Sequence, residues 1–314
     1  MRPPPRGRGE GQPVHGVRHR RHRGHRRPLG SPLTGGVVSF GHHLCVSPSR
    51  SSDMTKIAAT GASGNVGTEV RKAFDDHDLT LITQHERDDM DSIPVDVTNR
   101  DAFVDALSDE DVLIHLAANP SPYADWDDLH TVNIEGTYNA YKAAVENGLD
   151  RVVYASSNHA INGNETVAAN EPETLQEETP VVNHDARPHP DSWYGVTKVS
   201  SEAIGNRFAS QSGIESVNLR IGWLMSRENL RDSQADPDTD YPEAYARFAR
   251  AMWLSPRDCH DALRSAAFAD IPTNPLAVHA ISRNDERCLS LTHTLKSIGY
   301  RPRDDSAEVL ENDE

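Results

Sequence analysis

After residue 54 the apolar positions fall into two alternating patterns. Short aliphatic runs sit at Ile57–Thr60, Leu79–Ile82, Ile93–Val97, Asp111–Ala118 and Arg151–Ser157. Between them, apolar side chains return every three or four residues, most clearly over Asn99–Leu107 and Trp126–Asn147, the latter closed by Gly148. Runs of four to eight residues read as buried strands, and the 3.6-residue period reads as helices with one face on a core. Strands alternating with helices predict an α/β chain with a doubly wound, Rossmann-like parallel sheet. A further helix is predicted over Tyr194–Gln211, and a small C-terminal substrate-binding portion from Trp223 onward. The expected organisation is therefore an extension over 1–53, a nucleotide-binding domain with the catalytic residues over 54–222, and the small portion over 223–314.

Composition separates the first 53 residues from the rest. They hold ten Arg, no Lys and two acids, and have few large apolar residues before Val37. Such a segment cannot bury a core, and disorder is expected. Its arginines suit phosphates. His15, His19, His22 and His25 are spaced closely enough to suggest a metal tract, and Arg20-Arg21 resembles an export signal without the apolar stretch that should follow. Alternatively it is no part of the working protein, since Met54 opens "MTKIAATGASG", a natural domain start.

Of the chain's 32 basic and 48 acidic residues, 22 and 46 fall after residue 53, with only five lysines. An acidic, Lys-poor surface stays hydrated in strong salt and argues against nucleic-acid partners. Three cysteines, Cys45, Cys259 and Cys288, without metal spacing indicate neither a disulfide framework nor a zinc site. No apolar run reaches transmembrane length. The expectation is a salt-adapted cytoplasmic protein with no membrane, nucleic-acid or metal partner.

Two stretches carry chemistry. In "TGASGNVG", Gly61, Gly64 and Gly67 lie between the first strand and the first helix. There a tight turn lets backbone N–H groups and the helix N-terminus meet a pyrophosphate. "VVYASSNH" ends the fifth strand in hydroxyls, an amide and an imidazole, where open α/β sheets bind their ligands. Further on, Tyr194 and Lys198 stand four residues apart on one helix face. A nearby ammonium favours a phenolate, and Ser157 would hold a substrate oxygen against it. Taken alone, each stretch also has a plain reading, as a loop or a solvated helix face.

Together "TGASGNVG", "HLAA", "VNIEGTYN", "YASSN" and "YGVTK" resemble the extended short-chain dehydrogenase/reductase (NAD-dependent epimerase/dehydratase) superfamily, over essentially all of 54–314. Within it, "ASSNHA", "LRIGW" and "MWLSPRDC" are most similar to uronate dehydrogenases and to sugar dehydrogenases of halophilic archaea, among them glucose-6-phosphate and L-arabinose 1-dehydrogenases. The resemblance implies that Tyr194 is the catalytic base, Lys198 its partner and a ribose ligand, and Ser157 the residue orienting the substrate hydroxyl. It places Asn65, Val66, Thr83, His85, Asp96, Val97, Ala117, Ala118 and Ile221 around the dinucleotide. Asn119, Asn158 and His159 fall on the sugar. His159 has the alternative of a satisfied loop histidine, and Asn133 that of a backbone cap. The implied reaction is NAD(P)-dependent oxidation of an aldose at C1 to its lactone, in a homo-oligomer paired through the helices at 126–147 and 194–211. A uronate or glucose-6-phosphate dehydrogenase, a nucleotide-sugar epimerase/dehydratase with retained NAD and a non-catalytic cofactor sensor are the alternatives.

Three departures bear on specificity. The acid that ends the second strand in NAD-preferring relatives is Thr83 here, which leans toward NADP or dual use through His85 or Arg87, although Glu86 can still serve NAD. The arginine expected before "MWLSP" to hold a substrate anion is replaced by Arg247 and Arg250 on either side of its place. Trp223 stands where those enzymes have a serine, favouring a neutral aldose. The third is length: Tyr194 lies 37 positions after Ser157, and the acidic "ETVAANEPETLQEETPVVNHDARP" occupies most of the gap. It is expected to be a solvated loop edging the substrate entrance, with Ser226–Glu243 a similar insertion.

Overall fold

The computed structural model describes residues 55–312 apart from Asp236. The readings made for residues 1–53, and the start at Met54, lie outside the described residues. Seven parallel strands form one sheet in the order β3-β2-β1-β4-β5-β6-β9. They are β1 (Lys56–Thr60), β2 (Asp78–Thr83), β3 (Ile93–Pro94), β4 (Val112–His115), β5 (Arg151–Ser157), β6 (Glu215–Ile221) and β9 (Leu276–Ala280). Every residue of β5 is buried, as the continuous apolar run requires of a central parallel strand. The helices on the two faces are α1 (Asn65–Ala73) and α8 (Pro256–Phe268) on one, and α2 (Arg100–Ala106), α4 (Gly136–Asn147) and α5 (Trp193–Ser212) on the other.

Local chemistry explains most boundaries. Asn99 caps α2 by accepting from Ala102 N, Ser192 caps α5 by accepting from Gly195 N, and Gly148 ends α4 at φ 73°. Two strands are shorter than the apolar pattern suggests. β4 stops at His115 because the next two amides, Leu116 and Ala117, donate to Thr60 Oγ1, each at 3.1 Å. β3 keeps only two residues, and its Pro94 offers no N–H to a ladder. The helix expected over Trp126–Asn147 is broken by a π-turn. α3 (Trp126–His130) runs into a wide turn at Thr131–Glu135 before α4 begins.

Beyond β6 the chain leaves the sheet. It passes through β7 (Trp223–Leu224), α6 (Arg227–Asp232), α7 (Pro242–Met252) and β8 (Trp253–Leu254), which pairs with β7. It then returns along α8, which packs on α1, and enters the sheet edge as β9 beside β6. α9 (Thr292–Ile298) and α10 (Ser306–Glu311) complete the described chain. The acidic stretch after Ser157 is more than a solvated loop. Leu175 and Val182 are buried in a cluster with Phe248 and Met252 of α7, and Val182 bridges to Leu289. Burying Leu175 and Val182 there removes apolar side chains from water and fastens the stretch to α7.

Candidate active site

One cavity of about 520 Å³ opens at the carboxyl ends of the strands. At one end lies the glycine turn. Gly61 has φ +66°, and a Cβ there would sit 2.9 Å from Ala117 N. At Gly67 a Cβ would stand 2.4 Å from Gly61 O. The turn is thus closed to any side chain. Gly64, at the N-cap of α1, makes no side-chain cap, so the first turn of the helix meets the cavity as bare backbone. A helix N-terminus presented in this way is suited to a pyrophosphate. Asn65, Val66, Thr83, Asp96, Val97, Ala117, Ala118 and Ile221 line the same cavity. Asp96 is held ionised by hydrogen bonds from the Thr98 amide and hydroxyl. These residues fit a dinucleotide.

At the other end of the cavity stand Ser157, Asn158, His159, Tyr194 and Lys198. Ser157 is the last residue of β5; its oxygen accepts from His159 N at 3.3 Å and its hydroxyl donates to Asn158 Oδ1 at 3.3 Å. Tyr194 and Lys198 share a face of α5, with Lys198 Nζ 5.3 Å from the Tyr194 ring centroid. Lys198 is 3 % exposed and donates to Ala155 O at 2.7 Å. Burial lowers its pKa to about 7, opposed by the charge of Glu202. That carboxylate is itself taken up by Arg220, at 2.8 Å from both Nε and Nη2. Burial also pushes the Tyr194 phenol up, while the neighbouring Ser157 hydroxyl pulls it down. Both shifts share one cause, a site that disfavours charge until a charged ligand enters.

The wall beside these residues is built as carefully. His159 Nδ1 donates to Asp191 Oδ2 at 2.8 Å, and Ser192 donates to the other oxygen at 2.9 Å. The ring stacks on Phe248, centroids 5.8 Å apart, and meets Tyr194 edge-on. With Nδ1 committed to a carboxylate, Nε2 is the imidazole nitrogen left for a ligand. Asn158 is 2 % exposed, and its Nδ2 has no partner among the described residues. Trp223, Phe248 and Glu173 complete this wall.

A model of the NAD dependent epimerase/dehydratase family matches residues 57–265. The chain belongs to that family. An L-arabinose 1-dehydrogenase (NAD(P)(+)) of Haloferax volcanii is 49% identical over 259 residues, 82% of this chain and 100% of the relative. An NAD-dependent glucose-6-phosphate dehydrogenase of the same organism is 33% identical, over 80% of this chain and 94% of its own length. Among solved structures, a uronate dehydrogenase from Agrobacterium tumefaciens aligns at TM-score 0.65 with 23% identity, over 82% of this chain and 87% of that one, and supports the fold alone.

For this member of the epimerase/dehydratase family, the structure gathers most of the residues singled out from the sequence and leaves four aside. Asn119 spends its side chain on Asp128 O and Ser121 N, and its neighbours Pro120 and Pro122 line the cavity instead. His85 stands outside the lining, next to Thr83 and Gln84 that belong to it. Arg247 donates to Leu175 O at 2.8 Å. Arg250 is held by Glu286, at 2.7 and 3.0 Å, and by Gln234. Neither arginine reaches the cavity wall. Asn133 acts as a backbone cap: it accepts from Asn119 N at 2.8 Å and donates to Asn119 O and Thr197 Oγ1. Reading the sequence missed Asp191, Phe248 and Glu173. Only Glu173 had a signal, its place in the acidic insertion. Among the described residues no group of three or more His, Cys, Asp or Glu is placed to hold a metal ion, and no helix is long and apolar enough to cross a membrane.

Proposed function

We propose that the protein oxidises an aldose at C1 to its lactone with NAD or NADP. The observation that carries this reading is the single cavity lined at one end by the glycine turn and at the other by Ser157, Tyr194 and Lys198. The relative of 49% identity, named an L-arabinose 1-dehydrogenase, supports it along the whole length of that protein. When bound, the nicotinamide cofactor accepts the hydrogen of C1 with its electron pair. Ser157 holds the anomeric hydroxyl, and Tyr194 takes its proton as general base. Lys198, four residues on, stabilises the phenolate. His159 Nε2 and Asn158 Nδ2 orient the remaining hydroxyls.

The cofactor end supports use of both nucleotides. Thr83 carries no charge to repel a 2′-phosphate, and its hydroxyl is occupied by His85 O at 2.9 Å and Ser92. Arg87 forms an exposed pair with Asp89 and is cheaply released from it. The acidic composition and five lysines support a cytoplasmic enzyme adapted to salt. The exposed Tyr138 of α4, against Phe208 of α5, supports pairing of two copies across these helices.

The test is reduction of NAD and NADP at 340 nm in molar salt with L-arabinose and a panel of neutral, acidic and phosphorylated aldoses. Turnover with an aldose is expected. Tyr194→Phe, which removes the base and keeps the ring, should lower kcat by at least about a hundredfold. An unchanged rate in that variant refutes the assignment.

A further inference from the structure

The wall of the sugar end has an uneven charge. Among the described residues lining the cavity, Lys198 is the only lysine or arginine, and it lies beneath Tyr194 rather than on the outer wall. The adjoining cleft shares Glu173 and Trp223 with the cavity and adds Glu171, Asp232, Asp238 and Asp240, with no basic residue among those described. Glu173 is thus the acid common to both, set where a sugar would pass from one to the other.

Its position is fixed. Leu175 N donates to Ala244 O at 3.0 Å, and Leu175 O accepts from Arg247 Nη1 at 2.8 Å, so both backbone groups two residues on are pinned to α7. Thr174 Oγ1 donates to Glu171 O at 2.6 Å and closes the turn from the other side. Burial raises the Glu173 carboxyl above the ordinary carboxylate range, opposed by the neighbouring His159 imidazole and Tyr123 hydroxyl, which favour its charged form. Independently, the unpartnered Nδ2 of buried Asn158 marks the same wall as a place for a hydroxyl or other acceptor.

We propose that Glu173 is a specificity residue that admits neutral aldoses and rejects uronates and sugar phosphates, and that Arg247 serves it by holding its backbone instead of binding an anion. The proposal rests on the sugar-oxidising reading above and assigns the side chain that sets its substrate class. A carboxylate in a partly desolvated wall repels a second anion several ångströms away far more than it would in water. The same carboxylate accepts hydrogen bonds from neutral sugar hydroxyls. Rejection by like charge is a recognised route to specificity.

The experiment uses the full chain and its Glu173→Gln and Asp238→Asn variants, each with galactose against galacturonate and glucose against glucose 6-phosphate. Two quantities are read: the ratio of kcat/KM for the anionic sugar to that for the neutral one, and the equilibrium affinity for each sugar by calorimetry. Glu173→Gln is expected to raise both anion-to-neutral ratios by at least about tenfold. Asp238→Asn, in the outer cleft, should change them less than about twofold. Equal shifts in the two variants would overturn the proposal in favour of a general surface field. So would unchanged ratios in a folded Glu173→Gln protein, and so would a wild type that prefers the anionic sugar. If no sugar turns over, the sugar-oxidising reading fails by itself. The affinity arm still decides the matter, since a Glu173→Gln variant that binds galacturonate no better than wild type does sinks the role given to Glu173.

Discussion

Replacing Lys198 with Met should stabilise the protein in acid and destabilise it in alkali. The ammonium is buried, and its pKa falls from the ordinary 10.5 to about 7. At about 1.4 kcal/mol per pH unit, folding the charged form costs about 5 kcal/mol at pH 6. The sign follows from proton binding. Between about pH 7 and 10.5 the unfolded chain holds more protons at this site than the folded one, so wild-type stability rises with pH across that window. Met has a similar volume and no charge, but it leaves the Ala155 carbonyl without the 2.7 Å hydrogen bond it accepts. That loss is about 1–3 kcal/mol. The net expectation is a gain of about 2–4 kcal/mol for Lys198→Met at pH 6, turning into a loss of about 1–3 kcal/mol above pH 10. Urea unfolding of the cofactor-free protein at constant molar salt, at pH 6 and pH 10, measures both values. Turnover should be lost at either pH. A variant equally destabilised at the two pH values would refute the argument, because the burial of charge would then not be the dominant cost.

Two further substitutions test the two ends of the cavity. In Gly67→Ala the new methyl would stand 2.4 Å from the backbone oxygen of Gly61, which cannot swing aside as a side chain would; the dissociation constant for NAD, followed by quenching of protein fluorescence, should rise at least about tenfold. Asp191→Asn removes the carboxylate that fixes the His159 tautomer. KM for the sugar should rise about tenfold with a smaller change in kcat, and a drop in kcat alone would move His159 from orienting the substrate to the chemistry itself.

The parts of this molecule legible in its sequence are those fixed by neighbours in the chain. The strands announce themselves by apolar runs, the glycine turn by spacing, α2 by its apolar period and the end of α4 by Gly148. Tyr194 and Lys198 were readable because one helical turn brings them together. What was hidden depends on distant partners. Arg250 is held by Glu286, 36 residues away, and Arg247 by Leu175, 72 residues away, so their appeal as anion ligands vanished only in three dimensions. The π-turn at Thr131–Glu135 keeps the apolar spacing of a helix and leaves no trace in the pattern. Asp191 looked like any other acid in an acidic loop. Its partner His159 lies 32 residues earlier, and nothing local says that they meet.

The route of the chain beyond β6 has a consequence for how such enzymes can be rebuilt. The elements that carry Trp223, Phe248 and the support for Glu173 leave the sheet after Ile221, and the chain comes back through α8 to form β9 beside β6. This lobe is therefore an insertion with two fixed junctions, not a tail. Cutting at Gly222 would leave the sheet one strand short and strip α8 from α1. Exchanging specificity with a relative thus means grafting the segment between Gly222 and Ser255, together with the 160–192 loop that leans on it, as one cassette across two splice points. A lobe tethered at both ends can drift in sequence while the hydride-transfer machinery beneath it stays in register.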